Sequence, residues 1–279
     1  MSKHPFSQRF LVRPGEKVEL DKHDTTYHGE HENKSAANKE TQHYGQRMRE
    51  LQYLLYAENR ASLVICLQAM DAGGKDGVIQ HVFGYMNPQG CRVQPFKVPT
   101  TIEAAHDFLW RAHRAAPAKG EVVIFNRSHY EDVLVVRVHE LVPRKVWQLR
   151  YDRINEFERL LHQNGTHMLK FFLHISPEEQ LRRFHKRLTD AARQWKISEA
   201  DYAERAYWGD YQHAYEDALS QCSTEHAPWY VIPADHKWFR NLAVSRIVVE
   251  HLEALGMHTP EPSVDLDEIR RKYHQAEKL

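Results

Sequence analysis

The chain has only three cysteines, Cys66, Cys91 and Cys222, and no two of them form a CxxC pair. That excludes a disulfide framework and a cysteine-based zinc site, and it suits a reducing compartment. Charge of one sign is also missing: Lys and Arg total 38, and Asp and Glu total 38. With no general basicity to attract nucleic acid or a membrane surface, a polyanionic partner must be met by local clustering. Long apolar runs are missing too. The longest, at 61–69, falls far short of the ~20 residues that a membrane helix needs, and 1–20 holds no signal-peptide apolar region. These features predict a cytoplasmic protein. Histidine is abundant at 20 residues, but the positions are scattered and make neither HExxH nor a cysteine-histidine grid, which favours structural roles. No internal repeat or low-complexity tract occurs.

What is present is ordinary globular material. Apolar residues at 42% and charged residues at 27% allow a packed core without staples, and 279 residues suit one large domain or two ordinary ones. The stretch 16–44 is poor in apolar residues, so 1–45 reads as a polar arm that wraps the surface or moves. Met48, Leu51, Leu54 and Leu55 then recur at helical spacing, in a helix ending near Asn59. SLVICLQA at 62–69 is almost wholly apolar, as a strand covered on both faces should be. CRVQPF from Cys91, EVVIF from Glu121, HMLKFFLHI from His167 and WYVIP from Trp229 are further strands. Helical patterns at 75–85, 102–115, 145–163, 177–188 and 239–255 separate them, and the alternation predicts a parallel sheet flanked by helices. Thr100 with Glu103, Ser176 with Glu179 and Ser198 with Asp201 have capping-box spacing at helix starts. The tail from Pro260 reads as a surface extension.

Directly after the first strand comes AMDAGGKDG at 69–77, a glycine-rich turn with a lysine that opens a helix. Gly73, Gly74 and Gly77 let backbone amides curl around phosphate oxygens, the helix N-terminus adds partial positive charge, and Lys75 supplies a full one. Two positions depart from GxxxxGK[ST]: Ala69 replaces the first glycine, and Asp76 stands where a hydroxyl would touch magnesium. Asp71 lies inside the loop, where a carboxylate repels phosphate unless a cation lies between them, so it predicts a metal.

The strand EVVIF ends in a dense polar patch, Asn126, Arg127, Ser128, His129, Tyr130, Glu131 and Asp132. Ligands of open α/β sheets bind beyond the carboxyl ends of strands, so this patch and the glycine turn should face one crevice. Where P-loop proteins place a metal-binding aspartate this sequence has Asn126, which leaves Glu131 and Asp132 as candidate carboxylates. On the helix at 177–188, Leu181, Phe184 and Leu188 make an apolar stripe, with Arg182, Arg183, Lys186 and Arg187 opposite. Arg193, Lys196 and Arg205 extend that basic character, as for a lid over phosphates. The stripe Trp208, Tyr211 and Tyr215 reads as core packing.

AMDAGGKDG at 69–77, FNRSHYEDV at 125–133, the RxxxR lid segment with RQWKIS at 193–198, and STEHAPWYVIPA at 223–234 closely resemble the polyphosphate kinase 2 family. The likeness runs from about residue 51 to about 255, with its motifs in order. It implies a P-loop kinase-like (thymidylate kinase-like) three-layer α/β fold with a central parallel sheet. The phosphotransferase domain would span 46–257, the lid about 178–217, and 258–279 would be the surface extension. The implied activity is Mg²⁺-dependent transfer of the terminal phosphoryl group of inorganic polyphosphate to nucleotides, with Mn²⁺ as an alternative ion. By the same resemblance Asp71 is catalytic and binds metal, Lys75 contacts phosphate, and Arg127, Arg182, Arg183 and Arg187 bind phosphates alongside Gly73, Gly74, Asp76 and Gly77. Many members have Asp-Arg-Ser and a later Asn in the second motif. Here Asn126, Arg127, Ser128 and Glu131 look like the subfamily that accepts both AMP and ADP, with Asn126 and Arg127 at the nucleotide and Glu131 as second metal ligand or its orienter. Adenine nucleotides, with guanine nucleotides as a further class, and a homodimer or homotetramer are the implied partners; nucleic acid and membrane are not.

Transfer would be in line and direct. A nucleotide phosphate is already ionised and needs no base, so His129 is expected to be structural. Two rivals share these motifs: an ATP-dependent nucleotide kinase, and a polyanion-binding protein without turnover. Asp71 speaks against the second, because binding alone gains nothing from a carboxylate among phosphates.

Overall fold

The computed structural model describes residues 5–31, 33–196 and 198–277. Although its N-terminal stretch is polar, Phe10, Val12, Val18 and Leu20 are buried, which fixes it to the body. Strand β1 (Leu11–Val12) pairs antiparallel with the last strand. Two residues carry no alternation to read, so the sequence pattern did not announce it. Helix α1 (Lys34–Glu58) starts where Asn33 accepts a hydrogen bond from the Ala36 amide, and it stops at Asn59, whose φ of 52° makes a left-handed cap. It thus begins well before residue 46, because its first turns are too polar to show helical periodicity.

The remaining strands are β2 (Ser62–Gln68), β3 (Cys91–Pro95), β4 (Val122–Asn126), β5 (Thr166–His174) and β6 (Trp229–Pro233). They form a six-stranded sheet in the order β1-β6-β5-β2-β4-β3, parallel throughout except at β1. β2 is buried at every position, as its apolar run requires. Side chains alternate between the two faces: Leu63, Ile65, Val122 and Ile124 join the larger core, and Val64, Val123, Phe125 and Met168 join a smaller one with Phe96 and Phe157.

The helices between strands are α2 (Lys75–His81), α3 (Thr101–Ala104), α4 (Trp110–Ala115), α5 (Val135–Val138), α6 (Arg144–Trp147) and α7 (Arg150–Gln163). After β5 come α8 (Pro177–Thr189), α9 (Glu199–Arg205) and α10 (Trp208–Cys222), then α11 (Lys237–Ala254) and α12 (Leu266–Ala276) after β6. Two expected helices are each split. The segment 102–115 breaks into α3 and α4, where the Asp107 carboxylate accepts from the Leu109 amide and competes with helical bonding. The segment 145–163 breaks at 148–149 into α6 and α7. Reciprocal capping boxes form at Thr100 with Glu103 and at Ser198 with Asp201. At Ser176 only the hydroxyl caps, because the Glu179 carboxylate turns to Arg182 and Arg183. Tyr215 is in the core with Trp208 and Tyr211 packed against it, and α12 is exposed along its length.

The histidines give the fold an acid limit. Burial pushes His251 down to about 4, with His167 adding to the effect, and burial likewise holds His174 at about 4. Unfolded, these rings bind protons near pH 6.5; folded, they stay neutral until about pH 4, so the unfolded chain gains protons first as pH falls. Stability is therefore full above pH 6.5 and declines toward pH 4. Each ring should cost on the order of 2 kcal/mol at pH 5. Denaturant titrations at pH 7 and pH 5 check this, and His251→Leu should narrow the difference.

Candidate active site

The carboxyl end of β2 delivers the chain into the turn 69–74, which only certain residues tolerate. Ala72 has φ 60° and Gly74 φ 104°, both left-handed. A methyl on Gly73 would lie 2.4 Å from the Ala69 Cβ and 2.8 Å from the Met70 carbonyl oxygen. On Gly74 it would lie 1.9 Å from Nη1 of Arg240. Gly74 then caps α2, whose first amides lack intrahelical acceptors. The loop's carbonyls are held from α8: Gln180 Nε2 donates to the Asp71 oxygen at 2.9 Å, and Arg183 Nη1 to the Ala72 oxygen at 2.8 Å. Lys75 folds back so that Nζ donates to the Ala69 oxygen at 3.2 Å, and burial, followed by the nearby Arg127, lowers its pKa.

At the end of β4, Arg127 also adopts a left-handed backbone, with φ 59°. Such conformations are costly for a residue with a Cβ and concentrate at functional sites. Its guanidinium lies 3.4 Å from Asp71 and 3.8 Å from Glu131. Burial opposes its charge, yet Glu131 and Asp71 together hold its pKa above the usual value. Glu131 sits behind it rather than on the cavity wall. Gln68 Nε2 donates to it at 3.1 Å, and burial raises its pKa against the pull of Arg127 and Lys75. Asp132 points elsewhere, to Arg150 at 3.1 Å and Arg111 at 3.4 Å, so Glu131 is the carboxylate that shares an arginine with Asp71. Asn126 Nδ2 donates to Asp76 at 3.2 Å. His129 is fully buried against Glu158 at 3.2 Å.

Both motifs open on one cavity of about 1250 Å³. Asp71, Gly73, Gly74, Lys75, Asp76, Gly77, Asn126, Arg127, Arg183 and Arg187 line it; Glu131 and Arg182 do not. Arg182 is exposed and ion-paired with Glu179. Helix α8 departs from its amphipathic pattern, because Leu181 and Leu188 are each 49% exposed whereas Arg183 is buried. Glu179 at 2.6 Å and the loop carbonyl supply the partners that make such a burial tolerable.

The sequence reading missed Lys237 and Arg240 on the first turns of α11. Burial beside Arg183 pushes Arg240 down to about 9, and burial with Arg183 and Arg240 pushes Lys237 down to about 8. Cations crowded this way favour an anion. A cationic pair just beyond the carboxyl end of β6 was the available signal.

Among the described residues no group of three or more His, Cys, Asp or Glu side chains is set to hold a metal ion. Mg²⁺ commonly takes only one or two carboxylates and completes its shell with substrate phosphates and water. The Asp71 carboxylate on the wall of a cavity lined by Lys75, Arg127, Arg183 and Arg240 fits that use. No helix of the described residues is long and apolar enough to cross a membrane.

A largely parallel sheet flanked by helices, a glycine turn and lysine at the end of β2, and the cationic residues of α8 beside them belong to a P-loop kinase-like phosphotransferase. The chain belongs to the polyphosphate kinase 2 family, because Polyphosphate kinase 2 matches it over residues 31–260. It is 51% identical to the AMP/ADP-polyphosphate phosphotransferase of Meiothermus ruber, across 94% of this chain and 98% of that one. It is 46% identical to the ADP-polyphosphate phosphotransferase of Rhodopseudomonas palustris, across 91% and 92%. The crystal structure of polyphosphate kinase 2 from Arthrobacter aurescens TC1 superposes with a TM-score of 0.93 at 39% identity, covering 98% of this chain and 97% of that one.

Proposed function

We propose that the protein transfers the terminal phosphoryl group of inorganic polyphosphate to both AMP and ADP, giving ADP and ATP. The observation that carries this reading is Asp71 beside Arg127, with Glu131 behind them, at a cavity also lined by Lys75, Arg183, Arg187, Lys196, Lys237 and Arg240. A relative of that double-acceptor name is 51% identical. A nucleotide phosphate oxygen attacks the terminal phosphorus in line, the bond to the bridging oxygen breaks, and the shortened chain leaves as the anion. No covalent enzyme intermediate forms. Lys75 and the loop amides from Gly73 to Gly77 hold the phosphates at the reaction centre. Arg127 with Asn126 holds the acceptor, and Arg183 and Arg187 hold the donor, with Arg182 at its outer edge. Asp71, oriented with Glu131 through Arg127, would hold Mg²⁺ or Mn²⁺. That ion would neutralise phosphate charge.

We further infer adenine nucleotides as the main acceptors and guanine nucleotides as a second class, action in the cytoplasm, and a homo-oligomer of two or four chains. The test is incubation with Mg²⁺, polyphosphate and AMP without ATP, with nucleotides separated over time. ADP followed by ATP is expected, and none in EDTA. Product formed only when ATP replaces polyphosphate would mean a nucleotide kinase; polyphosphate bound without product would mean a binding protein.

A further inference from the structure

The lid carries a carboxylate that serves two helices at once. Asp201 Oδ2 accepts from the Ser198 amide at 3.1 Å, closing the capping box of α9, and it also lies 3.3 Å from Nη1 of Arg187 on α8. The same Nη1 donates to the main-chain oxygen of Lys196 at 3.3 Å. One end of the guanidinium is thereby committed within the lid, and its Nε and Nη2 have no such partner among the contacts of the described residues. Beyond α8, Arg193, Trp195 and Lys196 all lie on the cavity wall. Lys196 Nζ reaches to 3.9 Å from the Asp76 carboxylate in the phosphate loop. The opposite end of α9 is tied down independently, since Arg205 Nη1 donates at 2.9 Å to the Pro177 oxygen and to Gln180 Oε1.

We propose that Asp201 is a positioning residue for the donor: it clasps α9 to α8, aims Arg187 into the cavity, and fixes the span of the segment that presents Arg193 and Lys196 above the phosphate loop. The inference rests on the reading that Arg187 binds polyphosphate. Asp201 does not line the cavity. It is only partly exposed, at 16% of its side chain against 21% for Arg187, so solvent screens the pair less than a surface one. A planar guanidinium held at one nitrogen keeps its remaining donors preorganised for phosphate oxygens.

Asparagine at 201 keeps an oxygen for the Ser198 amide and loses the charge that holds Arg187. With ADP as acceptor, Asp201→Asn should raise the KM for polyphosphate by about tenfold while kcat and the KM for ADP stay within about twofold, the signature of lost donor positioning. Ser198→Ala, which removes the hydroxyl of the cap and leaves the ion pair, should leave the polyphosphate KM within about twofold. In the Arg187→Ala background, Asp201→Asn should add nothing, because the two act as a unit. Trypsin cleavage after Arg193 and Lys196 in the native protein should quicken in Asp201→Asn and reports the clasp without substrate. Unchanged polyphosphate KM together with an unchanged tryptic rate overturns the clasp, as does a Ser198→Ala variant equally impaired. A quickened tryptic rate with an unchanged polyphosphate KM in Arg187→Ala would sink the phosphate-binding reading and leave the clasp standing.

Discussion

Asp71→Asn is expected to fold normally, bind polyphosphate at least as well as the parent, and turn over about a thousandfold more slowly. The shape of the loop does not depend on the carboxylate charge. It is fixed by the left-handed backbone at Ala72 and Gly74, and by Gln180 and Arg183 holding its carbonyls. Asparagine fits the same volume and can still accept from Arg127, 3.4 Å away. What it lacks is negative charge among Lys75, Arg127, Arg183 and Arg240, so repulsion of the donor falls as metal placement fails. The predicted signature is therefore a split: kcat collapses, the polyphosphate KM is unchanged or lower, and the thermal midpoint is preserved. Residual kcat near the parent value would remove the carboxylate from the mechanism.

Lys170→Met should cost about 3–5 kcal/mol of folding stability, the range for removing one partner of a buried ion pair. Lys170 and Glu158 have no exposed side-chain surface. The Lys170 ammonium donates to Glu158, to the Tyr130 hydroxyl at 2.9 Å and to the Cys222 carbonyl at 2.6 Å. Glu158 in turn accepts from Tyr130 at 2.8 Å and faces His129 at 3.2 Å. Burial disfavours the Glu158 charge, but Lys170 and His129 hold its pKa below the usual range. Methionine would strand that carboxylate. Adding Glu158→Gln should recover part of the loss, and denaturant unfolding of the three variants measures it. If Lys170→Met proves as stable as the parent, the network is not a support. His129 and Tyr130 belong to the turn that also carries Glu131, so the network underpins that turn.

Motifs that combine local geometry with chemistry were readable from the chain. The glycine turn after SLVICLQA and the polar end of EVVIF meet at one cavity, because consecutive residues beyond a strand end must lie at that end. The clustered arginines of α8 were legible, but not their roles. Arg183 is buried and Arg182 is turned to solvent, a difference decided by the position of Glu179 and of the loop carbonyls, which no spacing records. Arg240 and Lys237 left only a faint signal for a similar reason: Arg240 meets the turn from a helix remote in sequence, and Lys237 joins the same cavity from that helix. β1 and the split of 102–115 depend on one or two residues each, below what periodicity can resolve.

The guanidinium of Arg240 against Gly74 and Gly77 has a consequence for how the protein is born. A ribosome releases the phosphate turn first, and α11 follows about 160 residues later. At about 5–20 residues per second the interval is on the order of ten seconds. Throughout it the turn has no Arg240 beside it, β6 is unmade, and β1 has no strand to pair with. The growing chain therefore carries the sequence of the phosphate turn before its completed site, which waits on β6, the strand that β1 pairs with, and on the α11 that brings Arg240 to the turn.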